Sequence, residues 1–413
     1  MMLGLKKYLT VLGVLFLSFL FSSCGGNSRS SSSNNNTGGN PSANSGTTTT
    51  GGSNTGSSGG NGSGSSASSI ASYAYVGNNN VITGTISGFA INADGTATAI
   101  PAVNGASGEL ATNNHFLLAT DGTNIVSYSI GSGGALSQVA TINGVAHNDT
   151  PSDSAVGVMS LDRSGASLYA GEINFQGTDN GAFAHFQIGS DGKIAWADNS
   201  SISSNFGSAL TFSQDDKYAY GHGCYFLTFE VPAFSRGTNG TLTPVASNAQ
   251  PPAVAESTDI CPGPSSASPT GDVLVSVMFP EGQQGATDLL VSYQIHSDGS
   301  LGPPSAPAAN PGFHAINDAK VDPSGSYVAV ATDAGVQMYS LSSTGALSPI
   351  GTPVTSNVTF NNVQWDAAGH VFATSTTTNG LYVFNNTNGA LTQASGSPHA
   401  VTNAGTLAVA SAK

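Results

Sequence analysis

Charged residues are scarce in this chain, and basic residues are the scarcest. Lysine and arginine together number 9, against 23 aspartates and glutamates, which gives a formal net charge of −14 over 413 residues. This balance argues against nucleic acid and against an anionic membrane surface as partners. Because so few charges are present, Ser, Thr, Asn and Gly must cover most of the surface, as is common in exported β-proteins.

Several catalytic and helical signatures are also missing. The folded region has no His-Glu-x-x-His, Cys-x-x-Cys or Gly-x-Ser-x-Gly motif, and no glycine-rich stretch opens a helix after a strand. No segment shows the apolar periodicity of a helix of three turns, whereas strand-like alternation and glycine turns recur throughout. The sequence therefore favours an all-β fold and gives no support to phosphate-binding loops.

The amino terminus has the organisation of a bacterial lipoprotein signal. Lys6 and Lys7 precede an apolar run of 14 residues, 8–21, which is too short for a comfortable membrane span. The run ends at Phe-Ser-Ser-Cys-Gly (21–25), which resembles a lipobox and makes Cys24 the predicted lipidation site at the end of a signal region, 1–24. An ordinary signal peptide with an incidental cysteine is the alternative.

The signal is followed by a segment without core-forming residues. Residues 25–72 are almost entirely Gly, Ser, Asn and Thr, so they cannot bury enough apolar area to offset the entropy of ordering. They are expected to form a flexible tether for a folded domain at 73–413. The predicted location is the cell envelope, at the outer membrane or cell surface, with the lipid anchor as the membrane contact.

A glycine turn occurs seven times in the folded region. In each copy an apolar residue follows the glycine by two positions. The seven glycines lie 39 to 59 residues apart and are Gly95, Gly134, Gly192, Gly240, Gly299, Gly345 and Gly389. A repeat of this length built from short strands is typical of a β-propeller blade, so the sequence predicts seven blades.

A second turn precedes the glycine turn in several repeats. The segment from Asp322 to Gly325 has Asp first, Pro second and Gly fourth, as a type I turn favours, and Asp162 and Asp366 begin similar turns. Alternating apolar runs flank both turns. They predict four antiparallel strands per blade, with strands A and B on either side of the Asp turn and strands C and D on either side of the glycine turn.

The two ends of the folded region complement each other. The first repeat begins directly at a B strand, 73–77, and the last repeat is followed by a spare strand, 406–410. The simplest arrangement makes the C-terminal strand the A strand of the first blade. This closes the ring and removes exposed sheet edges.

Such a topology sorts the connections onto two faces. The A–B and C–D turns share the bottom face, which carries Arg163, Lys193, Lys217 and Arg236. The longer B–C and D–A connections share the top face, where function is expected. The acidic residues in or near these top connections are Asp149, Asp153, Glu172, Asp179, Glu256, Asp259, Glu281, Asp288 and Asp333.

Two cysteines are also predicted on the top face. Cys224 lies in the B–C loop of the fourth blade and Cys261 in the D–A connection to the fifth. In an exported protein two such cysteines are expected to form a disulfide. Two free or metal-binding thiols are the alternative.

The repeat resembles that of the lactonase-like seven-bladed propellers, a family that includes the cycloisomerase-type 6-phosphogluconolactonases and the YVTN-repeat proteins. The segments Pro-Gly-Phe-His-Ala (311–315) and Gly-Ser-Pro-His-Ala (396–400) are similar to that family's Gly-Pro-Arg-His lead into strand A. Phe313 stands where Arg is common. The segment Tyr-Val-Gly-Asn (75–78) resembles the family's Tyr-Val-Thr-Asn strand.

The resemblance implies a lactone hydrolase, which needs a base to activate water and a donor for the oxyanion. Among top-face residues we predict His314, His147 and Glu172 as catalytic candidates, with His314 first because it precedes strand A at the channel. The predicted ligand-binding residues are His222, His399, Asp149 and Asn317. A structural hydrogen-bonding role for each histidine is the alternative.

The charge pattern constrains the ligand. A phosphorylated lactone would need Arg or Lys near its phosphate, and the top face offers almost none, so a neutral lactone, a neutral glycan or a cationic ligand fits better. A monomer is expected, and a non-catalytic propeller that binds a glycan, peptide or protein is the competing function. No cofactor is predicted. Acidic loops match the oxygen chemistry of Ca²⁺, but their spacing is unspecific and favours a solvated acidic face.

Overall fold

The strands are arranged as antiparallel sheets around one axis. The computed structural model describes residues 69–78, 84–147, 154–174, 182–201, 209–222, 230–245, 249–253, 260–280 and 286–413. Seven sheets, each built from one local stretch of chain except the first, form a seven-bladed β-propeller. The all-β fold class and the blade number predicted from the glycine repeat are confirmed.

The strands are numbered along the chain and grouped here by their place in the blades. The A strands of blades 1 to 7 are β28 (Leu407–Ser411), β4 (Leu110–Thr112), β8 (Ser154–Leu161), β12 (Ala209–Phe212), β16 (Ile260–Ala267), β19 (Ile316–Val321) and β23 (Asn362–Trp365). The B strands are β1 (Ile70–Gly77), β5 (Phe116–Thr120), β9 (Ser167–Asn174), β13 (Tyr218–His222), β17 (Val273–Pro280), β20 (Tyr327–Thr332) and β24 (His370–Ser375).

The outer two positions complete the blades. The C strands are β2 (Thr85–Asn92), β6 (Asn124–Ile130), β10 (Ala182–Ile188), β14 (Ala233–Arg236), β18 (Leu289–Gln294), β21 (Gly335–Leu341) and β25 (Gly380–Thr387). The D strands are β3 (Ala97–Asn104), β7 (Leu136–Asn143), β11 (Ile194–Ser201), β15 (Leu242–Pro244), β22 (Leu347–Val354) and β26 (Ala390–Gln393). A two-residue strand, β27 (His399–Ala400), also pairs with β25.

The fifth blade departs from regular strand geometry at its outer edge. Segment 302–308 runs beside β18, and the backbone N–H groups of Gly302, Ser305 and Ala308 donate to it at 2.8–2.9 Å. Pro303, Pro304 and Pro307 lie between these donors and have no N–H to add. Proline therefore explains why this fourth position is an irregular extended segment.

Helical structure is minimal among the described residues. A 3-10 helix spans Val145–His147 in the connection between blades 2 and 3. None of the described helices is long and apolar enough to cross a membrane.

The hydrophobic core is divided among the blade interfaces. Seven clusters of buried side chains occur. Each lies between two adjacent blades, and one of them lies between blade 7 and blade 1. Central strands such as β20 and β24 are therefore buried on both faces and read as continuous apolar runs. Packing between blades, rather than within any one sheet, supplies the core.

The glycine turns dock onto the preceding blade. All seven repeat glycines have φ between +78° and +90°. In four blades the glycine carbonyl accepts a hydrogen bond from a side chain of the blade before it, at 2.6–2.7 Å, and the donors are Tyr75, Ser127, Tyr169 and Ser292. The repeat therefore marks the places where one blade is fastened to the next.

The Asp turns are stabilised within their own blades. The Asp322 carboxylate accepts hydrogen bonds from the backbone N–H groups of Ser326 and Tyr327, at 2.7 and 2.8 Å. Asp162 binds Ala166 and Ser167 in the same way. These contacts are the reason that an aspartate begins each of these A–B turns.

The C-terminal strand closes the ring, as predicted. β28 pairs antiparallel with β1 from Ser72↔Ser411 to Val76↔Leu407. β1 begins at Ile70, three residues before the predicted domain start at residue 73. The innermost strands contact one another in an unbroken cycle from β4 through β8, β12, β16, β19 and β23 to β28 and back to β4.

A buried cluster of three polar residues fastens blade 7 to blade 1. Asp366 Oδ2 accepts hydrogen bonds from Ser72 Oγ and His370 Nδ1, both at 2.7 Å. The hydrogen bond to Asp366 raises the pKa of His370. Burial alone would raise the pKa of Asp366, but the bonds from His370 and Ser72 bring it below its usual range. The cluster is therefore an ion pair at mildly acidic pH.

The glycine docking predicts a graded set of substitutions. An added Cβ at Gly299 (φ +82°) would overlap the ring of Tyr218 in the preceding blade, whereas one at Gly369 (φ +88°) would meet nothing within 4 Å. Gly369→Ala should cost about 1–2 kcal/mol of unfolding free energy for its left-handed backbone alone, and Gly299→Ala clearly more. Gly133→Ala, where φ is ordinary and space is open, is the control. Equal urea midpoints for all three variants would contradict the docking.

The cluster of Ser72, Asp366 and His370 predicts that the stability of the protein depends on pH. Because the folded-state pKa of His370 is raised, its contribution is complete below the ordinary histidine value of about 6.5 and is lost as pH rises through the folded value. Because the pKa of Asp366 is lowered, its contribution is lost only as pH falls below about 3.9. His370→Gln should therefore lower the urea midpoint more at pH 5.5 than at pH 8.5. His115→Gln, on the exposed surface, should leave both midpoints unchanged; equal shifts at both pH values for His370→Gln would refute the ion pair.

Candidate functional site

The wall of the central channel is formed by the seven A strands. Each A strand contacts the A strands of its two neighbouring blades. The half-buried residues of these strands are largely apolar or neutral, and they include Val409, Thr211, Pro264 and Gln364. Lys320 of β19 is half-buried in the same way and brings a positive charge into this neutral wall.

Four titratable groups on three blades interact electrostatically. Glu109 immediately precedes β4 of blade 2, His222 ends β13 of blade 4, and Asp318 and Lys320 lie on β19 of blade 6. Glu109 interacts electrostatically with both Asp318 and Lys320, and His222 with Lys320. Blades 2, 4 and 6 are not adjacent, so these interactions act between separate blades. They are called the channel cluster below.

Asp318 is the fixed point of the channel cluster. Its Oδ1 accepts hydrogen bonds from the Ala319 N–H at 2.9 Å and from Lys320 Nζ at 2.7 Å. Its Oδ2 accepts one from the Val363 N–H of blade 7 at 3.1 Å. Asp318 is 6% exposed, so its carboxylate is held by the fold and in turn holds the Lys320 ammonium.

Glu109 has the properties of a proton acceptor. Burial and the Asp318 carboxylate raise the pKa of Glu109 to about 7, while the Lys320 ammonium opposes the rise. A carboxyl group with this pKa exchanges a proton near neutral pH, which suits general acid–base chemistry.

His222 supplies a neutral imidazole to the channel cluster. Burial, and to a smaller extent the Lys320 ammonium, lowers the pKa of His222 to about 3. At neutral pH the ring therefore carries no charge and can donate one hydrogen bond and accept another. Of the predicted ligand-binding residues, His222 is the one that joins this cluster.

The bottom ends of three inner strands are tied together by one side chain. Arg163, in the A–B turn of blade 3, donates from Nη2 to the Ala267 carbonyl at 3.1 Å and from Nε to the Phe212 carbonyl at 3.4 Å. Phe212 and Ala267 end β12 and β16, the A strands of blades 4 and 5. This arginine therefore holds the bottom ends of blades 3, 4 and 5 together.

His314 lies apart from the channel cluster. Its side chain is exposed. Its backbone N–H donates to Asp333 Oδ1 at 3.0 Å, and its backbone carbonyl accepts from the backbone N–H of Asp288 at 2.9 Å. Phe313, where the resembling family has Arg, is 4% exposed and packs between blades 5 and 6. The segment thus turns the chain into β19 through its backbone, and the catalytic role of His314 stays a prediction.

The other predicted histidines lie toward the outside of the blades. The His147 ring stacks on Trp196 of β11, at 5.0 Å between centroids, and burial lowers its pKa. The His399 ring packs against Phe89 of β2 at 5.4 Å, and burial lowers its pKa as well. Both contacts involve C or D strands, so neither ring joins the channel cluster.

The remaining predicted residues have mixed placements. Asn317 is buried and donates from Nδ2 to the Phe360 carbonyl at 2.6 Å, which ties blade 6 to blade 7. Glu172 lies in β9, where its backbone pairs with Val156 of β8. Cys261 is fully buried in β16. Cys24, Asp149 and Cys224 lie outside the described residues, so lipidation and the disulfide stay predictions.

Metal ligation is a separate question. Within the described ranges, no group of three or more His, Cys, Asp or Glu side chains is placed to hold a metal ion. Ca²⁺ binding therefore stays an expectation that depends on loops beyond those ranges.

Sequence reasoning missed Glu109, Asp318 and Lys320. The available signal was the position of Lys320, one of six basic residues after residue 72, within a predicted A strand. What the sequence could not show is that a glutamate some 200 residues earlier interacts electrostatically with Lys320.

Solved structures with a similar fold include named lactonases. A putative 6-phosphogluconolactonase from Bacteroides uniformis is 15% identical with a TM-score of 0.64, and the match covers 83% of this chain and 100% of that chain. The periplasmic gluconolactonase PpgL of Pseudomonas aeruginosa is 14% identical with a TM-score of 0.61, and the match covers 84% and 100%. A functionally unknown protein from Desulfotomaculum acetoxidans is 13% identical with a TM-score of 0.61.

These likenesses concern the fold. No protein-family model matches the sequence, and no curated protein matches it. The seven-bladed architecture expected from the turn motifs is confirmed, while identities of 13–15% carry no information on activity or substrate.

The channel cluster predicts an unusual glutamate titration. The chain has five glutamates, so selective ¹³C labelling of glutamate carboxyls gives an NMR spectrum simple enough to assign. One resonance should titrate near pH 7 and be absent in Glu109→Gln. Lys320→Met should move the titration midpoint of this resonance to higher pH, because the cation that opposes the raised pKa is lost. Lys217→Met, on the bottom face, should leave the midpoint unchanged. Titration of all five resonances below pH 5.5 would contradict the cluster.

Proposed function

We propose that this protein is an exported, lipid-anchored hydrolase of lactones that acts at the top of its central channel. The observation that carries the proposal is the channel cluster, in which Glu109, with a pKa of about 7, and a neutral His222 each interact electrostatically with Lys320. The lactonase-like fold supports this reaction class. Export and anchoring rest on the N-terminal signal sequence.

The residues of the cluster have complementary roles in this proposal. Glu109 accepts a proton from the water that attacks the lactone carbonyl, since a base is most effective when its pKa is near the working pH. The Lys320 ammonium, held by Asp318 at 2.7 Å, supplies positive charge where the oxyanion develops. His222, being neutral, orients the water or a substrate hydroxyl by hydrogen bonding.

The substrate we propose is an unphosphorylated, sugar-derived lactone. Lys320 is already paired with Asp318, and the connections on the top face contain no Lys or Arg in the sequence. A phosphate group would therefore have no cation to bind and would meet several carboxylates. Of the two activities named for the similar structures, gluconolactone hydrolysis suits this charge pattern better than hydrolysis of the 6-phosphorylated lactone.

A non-catalytic binding role is the second candidate. It is favoured by the acidic top face and by the dispersion of the predicted histidines, because His314, His147 and His399 do not assemble with a carboxylate in the described residues. In that case the top face would bind a glycan, a peptide or a protein.

A panel of neutral and phosphorylated lactones, assayed with the purified protein, distinguishes these functions. Glu109→Gln should lower kcat by about 100-fold or more, as loss of a general base does, while leaving KM within a few-fold of wild type. Asp121→Asn, a change in a B–C turn of the same face, should retain wild-type turnover.

The outcomes separate the candidates. If turnover is lost in His314→Ala but kept in Glu109→Gln, the general base is His314, as predicted from sequence, and not Glu109. No turnover on any lactone, together with specific capture of a glycan or protein, would support the binding role.

A further inference from the structure

We propose that a cavity on the bottom face, between blades 5 and 6, binds the guanidinium group of an arginine residue in a partner peptide. The cavity has a volume of about 210 Å³, and its walls are the A–B turns of both blades and the C–D turn of blade 6. Pockets for drug-sized ligands have about 300–1,000 Å³, so this cavity suits a single side chain. The inference goes beyond the proposed hydrolase and does not depend on it.

The cavity combines buried and exposed residues. Ser268 and Leu341 are 1% and 7% exposed, whereas Thr270 and Ser324 are exposed. Asp272 is half-buried and supplies the carboxylate of the lining. The cavity therefore opens to solvent and offers a negative charge to a group that enters it.

The hydrogen-bonding groups of this lining are mainly acceptors. Ser268 Oγ donates to Asp272 Oδ1 at 2.9 Å, and Thr270 Oγ1 donates to the same oxygen. Ser324 Oγ donates to Asp322 Oδ2. The protons of these three hydroxyls are thus used within the protein, while each oxygen keeps at least one lone pair. Asp272 Oδ2 accepts no hydrogen bond from the described part of the chain, so the cavity suits a cation with several N–H donors.

The corresponding place between blades 3 and 4 is occupied by a guanidinium group of the protein itself. Arg236 Nη2 donates to Asp162 Oδ2 at 2.6 Å and to Ser167 Oγ at 2.9 Å. Arg236 Nε donates to the Tyr169 hydroxyl at 2.9 Å. Arg236 ends the C strand of blade 4, and its three partners belong to blade 3. One blade interface thus already holds an arginine through a carboxylate and two hydroxyls.

Backbone hydrogen bonds identify the residue that corresponds to Arg236. The Arg236 N–H donates to the Lys217 carbonyl at 2.7 Å, and the Leu341 N–H donates to the Ser326 carbonyl at 2.8 Å. Both residues also stand four positions before the repeat glycine of their blade. Leu341 therefore occupies the position of the arginine and has no group to pair with the cavity acceptors.

The facing turns correspond in the same way. The Asp162 N–H donates to the Ser167 carbonyl at 3.0 Å, and the Ser268 N–H donates to the Val273 carbonyl at 2.8 Å. Ser268 thus replaces Asp162, and Asp272 supplies the carboxylate four residues later. The interface of blades 5 and 6 therefore has the acceptors of an arginine site without the arginine.

Charge favours a basic peptide as the source of the guanidinium. The protein has a net charge of −14, which attracts cationic partners. Arg163 also reaches blade 5, but its guanidinium donates to the carbonyls of Ala267 and Phe212 and is not part of the cavity lining. A planar guanidinium with five N–H donors matches several acceptors at once, whereas an ammonium is a single point charge.

Calorimetric titration with N-acetylarginine N-methylamide, whose one charge is the guanidinium, tests the site. The matched ligands are the citrulline derivative, which has nearly the same shape without the charge, and the lysine derivative. We expect the arginine derivative to bind about tenfold or more tightly than either. No binding of the arginine derivative up to about 10 mM, or equal binding of either matched ligand, would overturn the proposal.

Two variants locate the binding. Asp272→Asn should weaken binding of the arginine derivative by about tenfold or more, because the charge-assisted hydrogen bond is lost. Asp298→Asn, which changes a carboxylate in the C–D turn of blade 5 on the same face, should bind as wild type. Leu341→Arg should abolish binding, because the new side chain fills the cavity as Arg236 fills its own interface. Urea midpoints establish that each variant is folded, and wild-type affinity in folded Asp272→Asn or Leu341→Arg would refute the site.

Discussion

The docking of each glycine turn against the preceding blade is the constraint on which the rest of this fold depends. The repeat glycines have φ near +80°, and the neighbouring blade approaches so closely that no Cβ would fit at Gly134, Gly240 or Gly299. Where a tyrosine or serine of that blade donates to the glycine carbonyl, both partners are satisfied away from water. A buried hydroxyl left without this acceptor would cost about 1–3 kcal/mol.

Ring closure converts these local contacts into a site. A blade buries its faces against its neighbours, as the seven interface clusters show, so the stability of each blade depends on the two beside it. The ring then allows Glu109 and Lys320 to interact electrostatically, although blade 7 and blade 1 lie between their blades. The Asp318 carboxylate contributes both to the ring and to the channel cluster. It accepts a hydrogen bond from the backbone of blade 7 and another from the Lys320 ammonium.

Local features were readable from sequence, whereas relations across the axis were not. The glycine spacing, the Asp turns and the spare C-terminal strand predicted the blade number and the closure, because each is encoded in a few consecutive residues. The prolines of segment 302–308 disturb one outer strand in a way that a repeat pattern does not show. The sequence favours His314 because it precedes strand A, yet its side chain is exposed in the structure, since side-chain direction depends on packing.

The C-terminal strand completes the ring of blades that forms the channel. The most direct test is urea unfolding, with limited proteolysis, of a chain that lacks residues 404–413. This deletion removes β28, its pairing with β1 and the Thr406 hydrogen bond to the Gly108 carbonyl beside Glu109. We predict loss of the cooperative transition and digestion of the whole propeller. A soluble, protease-resistant product that unfolds at the wild-type urea midpoint would contradict the account.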